Sequence, residues 1–321
     1  MVATMTHAAE IHPVPEGQWR EALHFLAGGG DHSLLTDART ENLETMIGRR
    51  DPETVRMWWA RRRRRCVAAA LVLHHPGRVG FLFYPPVDGG GVDGMVLAEV
   101  VRAASGESLD AGLRFVQALA DPGSDAEVEF LVAGGYEFLA ELIYMELDLS
   151  QYRAPRIDRP RECRRHGQFD EAELGALIRE TYRGSLDCPL LVGVRDMADV
   201  LASHKSSGEF QPEHWWIVQE QGRPAGCILV NAAGRAETWD VVYVGVHPEH
   251  RGRGLGREML RRAACAARAR GARRLTLAAD ARNGYAMDIY EGEGFREVRR
   301  RIAMVDVRRG MPSAEEAKRK C

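Results

Sequence analysis

From Val244 to Gly256 the sequence reads Val-Gly-Val-His-Pro-Glu-His-Arg-Gly-Arg-Gly-Leu-Gly. An apolar alternation ends at Val246 and a helical pattern starts at Leu255, so the glycines sit on a strand-to-helix turn. A helix start offers N–H groups without intrahelical partners and the positive end of the dipole, and glycine lets the main chain approach an anion closely. Such a turn suits a pyrophosphate. Glycines at 252, 254 and 256 fit neither the G-x-G-x-x-G dinucleotide fingerprint nor the phosphate loop that ends in G-K-[ST].

The turn needs a strand before it and a helix after it. Spacing predicts strands at His214–Glu220 and Ala225–Val230, joined by Gly222, Arg223 and Pro224, and a third at Trp239–Val246 with apolar residues on both faces. Leu255, Met259, Ala263 and Ala266 recur at helical spacing up to Arg270, where Gly271 stands as the stop. A strand at Arg274–Ala279, a short helix at Tyr285–Glu293 and a strand at Ile302–Val307 follow. The first half repeats this order: strands Cys66–Leu73 and Val79–Tyr84, a Gly-rich loop, helix Met95–Ala104, strand Leu113–Leu119, helix Asp125–Ala133 and strand Leu142–Leu147. Gly135-Tyr136 answers Gly294-Phe295, and Met145 and Met304 each stand nine residues after the aromatic. This is a duplication of a unit of about 150 residues, too long for a solenoid repeat, with 1–150 and 151–321 as the halves and Ser150–Pro160 as the junction.

Composition narrows the function. A chain of 321 residues, 45% hydrophobic and 28% charged, is an ordinary globular sequence with room for two cores. The net charge of -2 gives no basic field for nucleic acid. The run Arg61–Arg65 after Trp58-Trp59 could stack on and neutralise a nucleic acid, but reads more simply as the solvated end of a helix. The six cysteines form no C-x-x-C pair, which argues for reduced, mostly buried thiols and against a zinc ribbon. No signal-like or membrane-length apolar run is present, so a cytoplasmic protein without a membrane partner is expected.

Read as R-x-x-G-x-G, residues Arg251, Gly254 and Gly256 resemble the coenzyme A signature of the GNAT acetyltransferase superfamily. Asn283, Ala286, Tyr290, Gly294 and Phe295 resemble its second coenzyme A contact, N-x-x-A-x-x-x-Y-x-x-x-G-F. The resemblance covers residues 160–308 and reaches the first half through the duplication. It implies an α/β (α+β) fold of tandem GNAT units, each a mixed sheet flanked by helices, with acetyl-CoA as acyl donor and no metal. Amides of Arg251, Gly252, Arg253, Gly254, Leu255 and Gly256 would hold the pyrophosphate, and the main chain of Val244 and Val246 the pantetheine arm. The Val246 amide could also polarise the thioester carbonyl. Asn283 would bind near the pantetheine, or cap a helix. Tyr290 would face the sulfur as general acid, or only pack.

The acceptor side is read from position. A carboxylate, histidine or water relay near the fourth strand of the fold could serve as base, with Glu237 and Asp240 as the candidates by position; otherwise Glu237 is an exposed strand-edge residue and Asp240 satisfies a nearby arginine. Tyr182 and Asp187 in the loop after an amphipathic helix are candidate acceptor contacts, and Cys188 is structural rather than nucleophilic. The first copy departs from the pattern: Pro85, Pro86, Asp88 and Asp93 surround its glycines, and Leu131 stands where Tyr290 does. It is expected to have lost acetyl-CoA. The leading expectation is direct transfer of acetyl to a primary amine in a ternary complex. The alternatives are a non-catalytic acyl-CoA sensor and a mycothiol synthase-like acetyltransferase.

Overall fold

The computed structural model describes residues 8–30, 33–87, 91–153 and 161–307. Asp88–Gly90 of the first copy's turn and Ala154–Pro160 of the expected junction lie outside the described residues. In chain order the elements are β1 (Glu10–Pro13), α1 (Trp19–Gly28), α2 (Leu34–Ile47), β2 (Val55–Arg62), β3 (Arg65–His75), β4 (Val79–Phe83), α3 (Gly94–Asp110), β5 (Phe115–Ala120), α4 (Asp125–Ala133) and β6 (Glu137–Asp148). They continue as β7 (Cys163–Arg165), α5 (Glu171–Thr181), α6 (Met197–Ser206), β8 (Trp215–Glu220), β9 (Arg223–Ala232), β10 (Thr238–Val246), α7 (Leu255–Ala269), β11 (Arg274–Asp280), α8 (Gly284–Gly292) and β12 (Arg296–Val307).

The chain divides into two units that are not the two halves of the sequence. The first holds the described residues up to Leu139 together with 302–307, and the second holds 140–301. In the first unit the end of β12 pairs antiparallel with β5, Met304 opposite Ala118. In the second, β6 pairs antiparallel with β11, Met145 opposite Leu277. Each copy therefore gives its last strand to the other unit, which departs from a boundary at 150. Both methionines are buried, one in each core.

Within each unit period-two alternation divides the side chains between two covered faces. Leu71 and Leu73 of β3 pack under α1, while Ala70 and Val72 face α3. In the second unit Ile217 and Leu229 face α5 and α6, and Val218 and Ile228 face α7 and α8. Each unit is thus a mixed sheet flanked by helices, as the resemblance implied. The duplication reaches single hydrogen bonds: Tyr136 N–H donates to Leu131 O at 3.0 Å, and Phe295 N–H to Tyr290 O at 3.0 Å.

α7 has the predicted stripe, with Leu255, Met259, Leu260 and Ala263 buried against the sheet; each of the three larger side chains contributes about 1.5–3 kcal/mol by leaving water. It ends where Gly271 adopts φ 86°. There Gly271 N–H bonds Arg268 O and Ala272 N–H bonds Ala267 O, the Schellman pattern.

Three readings change. Arg61–Arg65 is not a helix end: it closes the β2–β3 hairpin, with Arg63 and Arg64 at φ 48° and 67°. Both central residues at positive φ match the twist of the flanking strands, and Arg61 lies over the Trp59 ring at 4.6 Å. Of the described cysteines only Cys227 is fully buried, and Cys265 is exposed. Helices α1 and α2 were not expected: α2 spreads apolar and polar residues evenly around its axis, whereas α1 does carry an apolar stripe, with Ala22, Leu23 and Leu26 buried. Among the described residues no helix is long and apolar enough to cross a membrane.

Candidate active site

β10 and β11 run parallel and pair at Thr238–Arg274, Trp239–Leu275 and Asp240–Thr276. Beyond that point they separate, although β10 continues to Val246 and β11 to Asp280. The reason lies on the other edge of β10, where Val242 is an unmatched residue in the ladder to β9 between Val241 and Tyr243. A bulge bends its strand and increases the twist, which carries β10 away from β11 and opens a cleft. His247 N–H donates to Ala225 O toward β9 at 2.9 Å. Alternation then turns the peptide groups of Val246 and Val244 to the edge that β11 has left. Arg251 Nε, donating to Val246 O at 3.2 Å, meets that edge.

At the end of the cleft the turn rises into α7. Gly252 and Gly254 take φ 74° and 76°, and a Cβ on either would meet nothing within 4 Å. Conformation requires glycine there, and the surface above stays open. Gly254 is the N-cap of α7 with no side-chain capping bond, so the first amides of the helix keep their hydrogen-bonding capacity. Gly245 is a glycine for the opposite reason: a Cβ would lie 2.7 Å from Thr181 Oγ1 and 2.8 Å from Tyr243 Oη. Strand edge and helix start border one cavity of about 720 Å³. An uncapped helix N-terminus beside a free strand edge fits a ligand with a phosphate group and an extended, amide-bearing arm.

The cavity gathers most of the expected residues. Val244, Val246, Arg251, Gly252, Gly254, Leu255, Gly256, Asn283, Tyr290, Tyr182 and Asp187 all line it. Asn283 also caps α8, its Oδ1 accepting from Ala286 N–H at 3.3 Å. Tyr290 is 8% exposed, and burial with the nearby Asp187 charge pushes its phenol well above the usual range. Its hydroxyl has no hydrogen-bond partner among the described residues. The Arg251 side chain is engaged with protein: besides Val246 O, it donates to Thr181 O at 2.9 Å and to Gly184 O at 3.3 Å.

Three expected residues are not brought there. Arg253 points outward to Glu220, 3.0 Å away. Glu237 sits at φ 54° in the turn before β10, exposed and 3.3 Å from Arg273. Asp240 lies where β10 and β11 are still paired, accepting from Thr276 Oγ1 at 2.8 Å. Neither acid lines the cavity, because the cleft opens only beyond them.

Sequence reasoning missed other participants. Thr181 Oγ1 gives its proton to Ile178 O at 2.6 Å and receives Tyr243 Oη at 2.5 Å, which ties the end of α5 to β10. Asp280, fully buried, accepts from Arg282 Nη2 at 2.6 Å and from Cys188 N–H at 3.1 Å. Arg282 holds its carboxyl below the usual range against the cost of burial. Donor atoms of Asp187, Cys188 and Asp280 come within 4.8 Å of one another, and the Arg282 guanidinium supplies the cationic partner of that cluster. An Asp at a strand end followed two residues on by Arg was the available clue.

The first unit has the corresponding opening, since β4 pairs parallel with β5 only from Val79 to Phe81. Here Tyr84 crosses it. Its hydroxyl lies 3.0 Å from Leu119 O and 2.7 Å from Glu127 Oε2, with the ring edge-on to Phe130 at 4.9 Å. A side chain occupies the place that stays open in the second unit.

Residues 179–295 match the acetyltransferase (GNAT) family. A mycothiol acetyltransferase from Beutenbergia cavernae is 36% identical over 92 residues, 28% of this chain and 30% of that relative. Among solved structures, a GCN5-related N-acetyltransferase from Sphaerobacter thermophilus aligns with TM-score 0.63 at 19% identity, over 94% of this chain and 97% of its own. A tandem GNAT protein from the clavulanic acid biosynthesis pathway aligns with TM-score 0.52 at 16% identity, over 93% and 98%. At such identities the structures speak for the fold alone, and the relative is matched over less than a third of its length. The divergent strands, the uncapped helix start and the match to the acetyltransferase (GNAT) family over residues 179–295 coincide in one segment, and the chain has the fold of a tandem GNAT protein.

Proposed function

We propose that the second unit binds acetyl-CoA once per chain and transfers its acetyl group directly to an amine of an acceptor in a ternary complex. The observation that carries this reading is that the edge of Val244–Val246 left by β11 and the uncapped start of α7 border one cavity. The pyrophosphate lies on the amides of Arg251–Gly256 and the pantetheine arm along β10. Bound acetyl-CoA supplies the activated acyl group; the residues around it orient the thioester, exclude water and move protons. Direct transfer is supported by the thiols. Burial and the charges of Asp187 and Asp280 push Cys188 up to about 12, and burial pushes Cys227 to about 12, so neither is a thiolate near neutral pH.

Calorimetry with acetyl-CoA and turnover against an amine panel test the proposal. A stoichiometry near one is expected, lost on Gly254→Asp, which places a carboxylate against the pyrophosphate at a position of φ 76°. Affinity falls tenfold or more. Two equivalent sites, or binding that survives Gly254→Asp, contradict it. Binding without turnover favours the acyl-CoA sensor. The mycothiol acetyltransferase match favours that enzyme's acceptor as a second reading, and the panel includes it.

A further inference from the structure

Among the described residues lining the cavity, Asp187 carries the only carboxylate. Arg251, Arg257 and the N-terminus of α7 also border it, and Tyr290, Tyr182 and Tyr243 stand near enough to Asp187 to feel its charge. Asp187 is placed by protein, not left to rotate. Its Oδ1 accepts from Asp280 N–H at 3.1 Å, and the next residue, Cys188, is fixed at φ 44° by its N–H bond to Asp280 Oδ2. Its other oxygen has no donor among the described residues. Asp280 is thus a positioning residue, with Arg282 balancing its charge.

We propose that Asp187 receives the acceptor as an ammonium ion and removes its proton, so the acceptor is a primary amine that enters as a cation. The inference rests on the acetyl-CoA reading above. In the step, R–NH3+ gives one proton to the Asp187 carboxylate, and the freed lone pair forms the N–C bond at the thioester carbonyl. The C–S bond breaks with its electron pair going to sulfur. Tyr290 gives its proton to the thiolate and is refilled by the second nitrogen proton, which leaves R–NH–acetyl, CoA–SH and a protonated Asp187 that discharges to solvent. The groups facing Asp187 act in both directions, and those that favour its proton-accepting role prevail. Asp280 from β11 repels its negative form, Tyr290, Tyr182 and Tyr243 stay neutral phenols, the Cys188 thiol stays protonated, and Arg282 is engaged by Asp280. Asp187 is an exposed residue, but the desolvation of its carboxyl in the cavity wall and the Asp280 charge hold that carboxyl above the usual aspartate range, against the Asp280 N–H bond and Arg282.

The test uses the full chain. Acetyl-CoA affinity of the wild type is measured first, and its absence overturns the acetyl-CoA reading itself. With binding established, Asp187→Asn should leave that affinity within about threefold and lower kcat/KM for the best substrate of a primary-amine panel by about 10²-fold, the scale of acid–base catalysis. The acid limb of the wild-type kcat/KM profile should vanish in the variant. An unchanged profile, or a panel in which no primary amine is acetylated while acetyl-CoA still binds, overturns the inference. Carbon-13 carboxyl spectra give a second arm independent of turnover. The resonance missing from Asp187→Asn should titrate above the ordinary aspartate range and shift on addition of methylammonium chloride; one that titrates normally and ignores methylammonium overturns it.

Discussion

The Arg251 guanidinium donates to the Thr181 carbonyl at 2.9 Å, so the arginine of the glycine signature secures the end of α5. Its remaining bonds go to Val246 O and Gly184 O. One planar fork thereby fixes the cleft strand, the helix end and the loop that leads to Asp187. Arg251→Ala should weaken acetyl-CoA binding about tenfold through loss of that order, and amide exchange at Gly184–Asp187 should accelerate. Arg251→Lys should restore little, because a point-like ammonium cannot reach three carbonyls in one plane. Calorimetry and hydrogen exchange read both effects.

Tyr290 lines the cavity with an unbonded hydroxyl and a phenol that burial keeps protonated, the state a general acid needs. A thiolate is already a fair leaving group, so protonation contributes at the low end of the 10²- to 10⁴-fold range. Tyr290→Phe keeps the ring and its neighbour Phe295 while deleting the hydroxyl. Turnover should fall about 10²-fold with acetyl-CoA affinity nearly unchanged. Equal turnover, where chemistry limits the rate, would make Tyr290 a packing residue.

The strand exchange decides which fragment folds. A chain of residues 158–321 lacks β6, and with it Ile143, Met145, Leu147 and Leu149, all buried in the core of the second unit. At about 1.5–3 kcal/mol per side chain the loss is comparable to the whole stability of a domain. That fragment should be insoluble or molten, whereas one beginning at Ala140 keeps the β11 edge covered. Circular dichroism melts of the two distinguish them, and a cooperative melt of the shorter fragment would contradict the strand assignment.

His204 packs against the Tyr243 ring at 5.3 Å with its Nε2 buried and unbonded. Burial first, and the Arg195 charge second, lower its pKa to about 4. The unfolded value is near 6.5, so between pH 6.5 and 4 the unfolded chain binds more protons than the folded one. The stability linked to His204 is therefore complete above pH 6.5 and is lost as pH falls toward 4, a change of about 3 kcal/mol. Urea melts of the wild type at pH 7 and pH 4.5 should show it. His204→Phe, which keeps a ring but cannot titrate, should show a smaller difference.

The sequence by itself determined the turn, the helix behind it and the second contact motif. These are local: glycine at positive φ, an apolar stripe and an Asn at a helix start are set within a few residues of chain. It also gave the repeat, because the two copies kept the same glycine-aromatic ending. The tertiary structure alone decided which strand completes which sheet, since Met145 and Met304 satisfy the same apolar position in either unit and nothing local distinguishes them. It decided that Glu237 and Asp240 stand outside the cleft, because the separation of β10 from β11 begins only after Asp240. It brought Asp187 to the cavity through a bond from Asp280, 93 residues away in the chain, and it filled the first unit's opening with Tyr84. Periodicity reads which face a residue takes; only packing across the sheet sets where two strands part and what enters the gap.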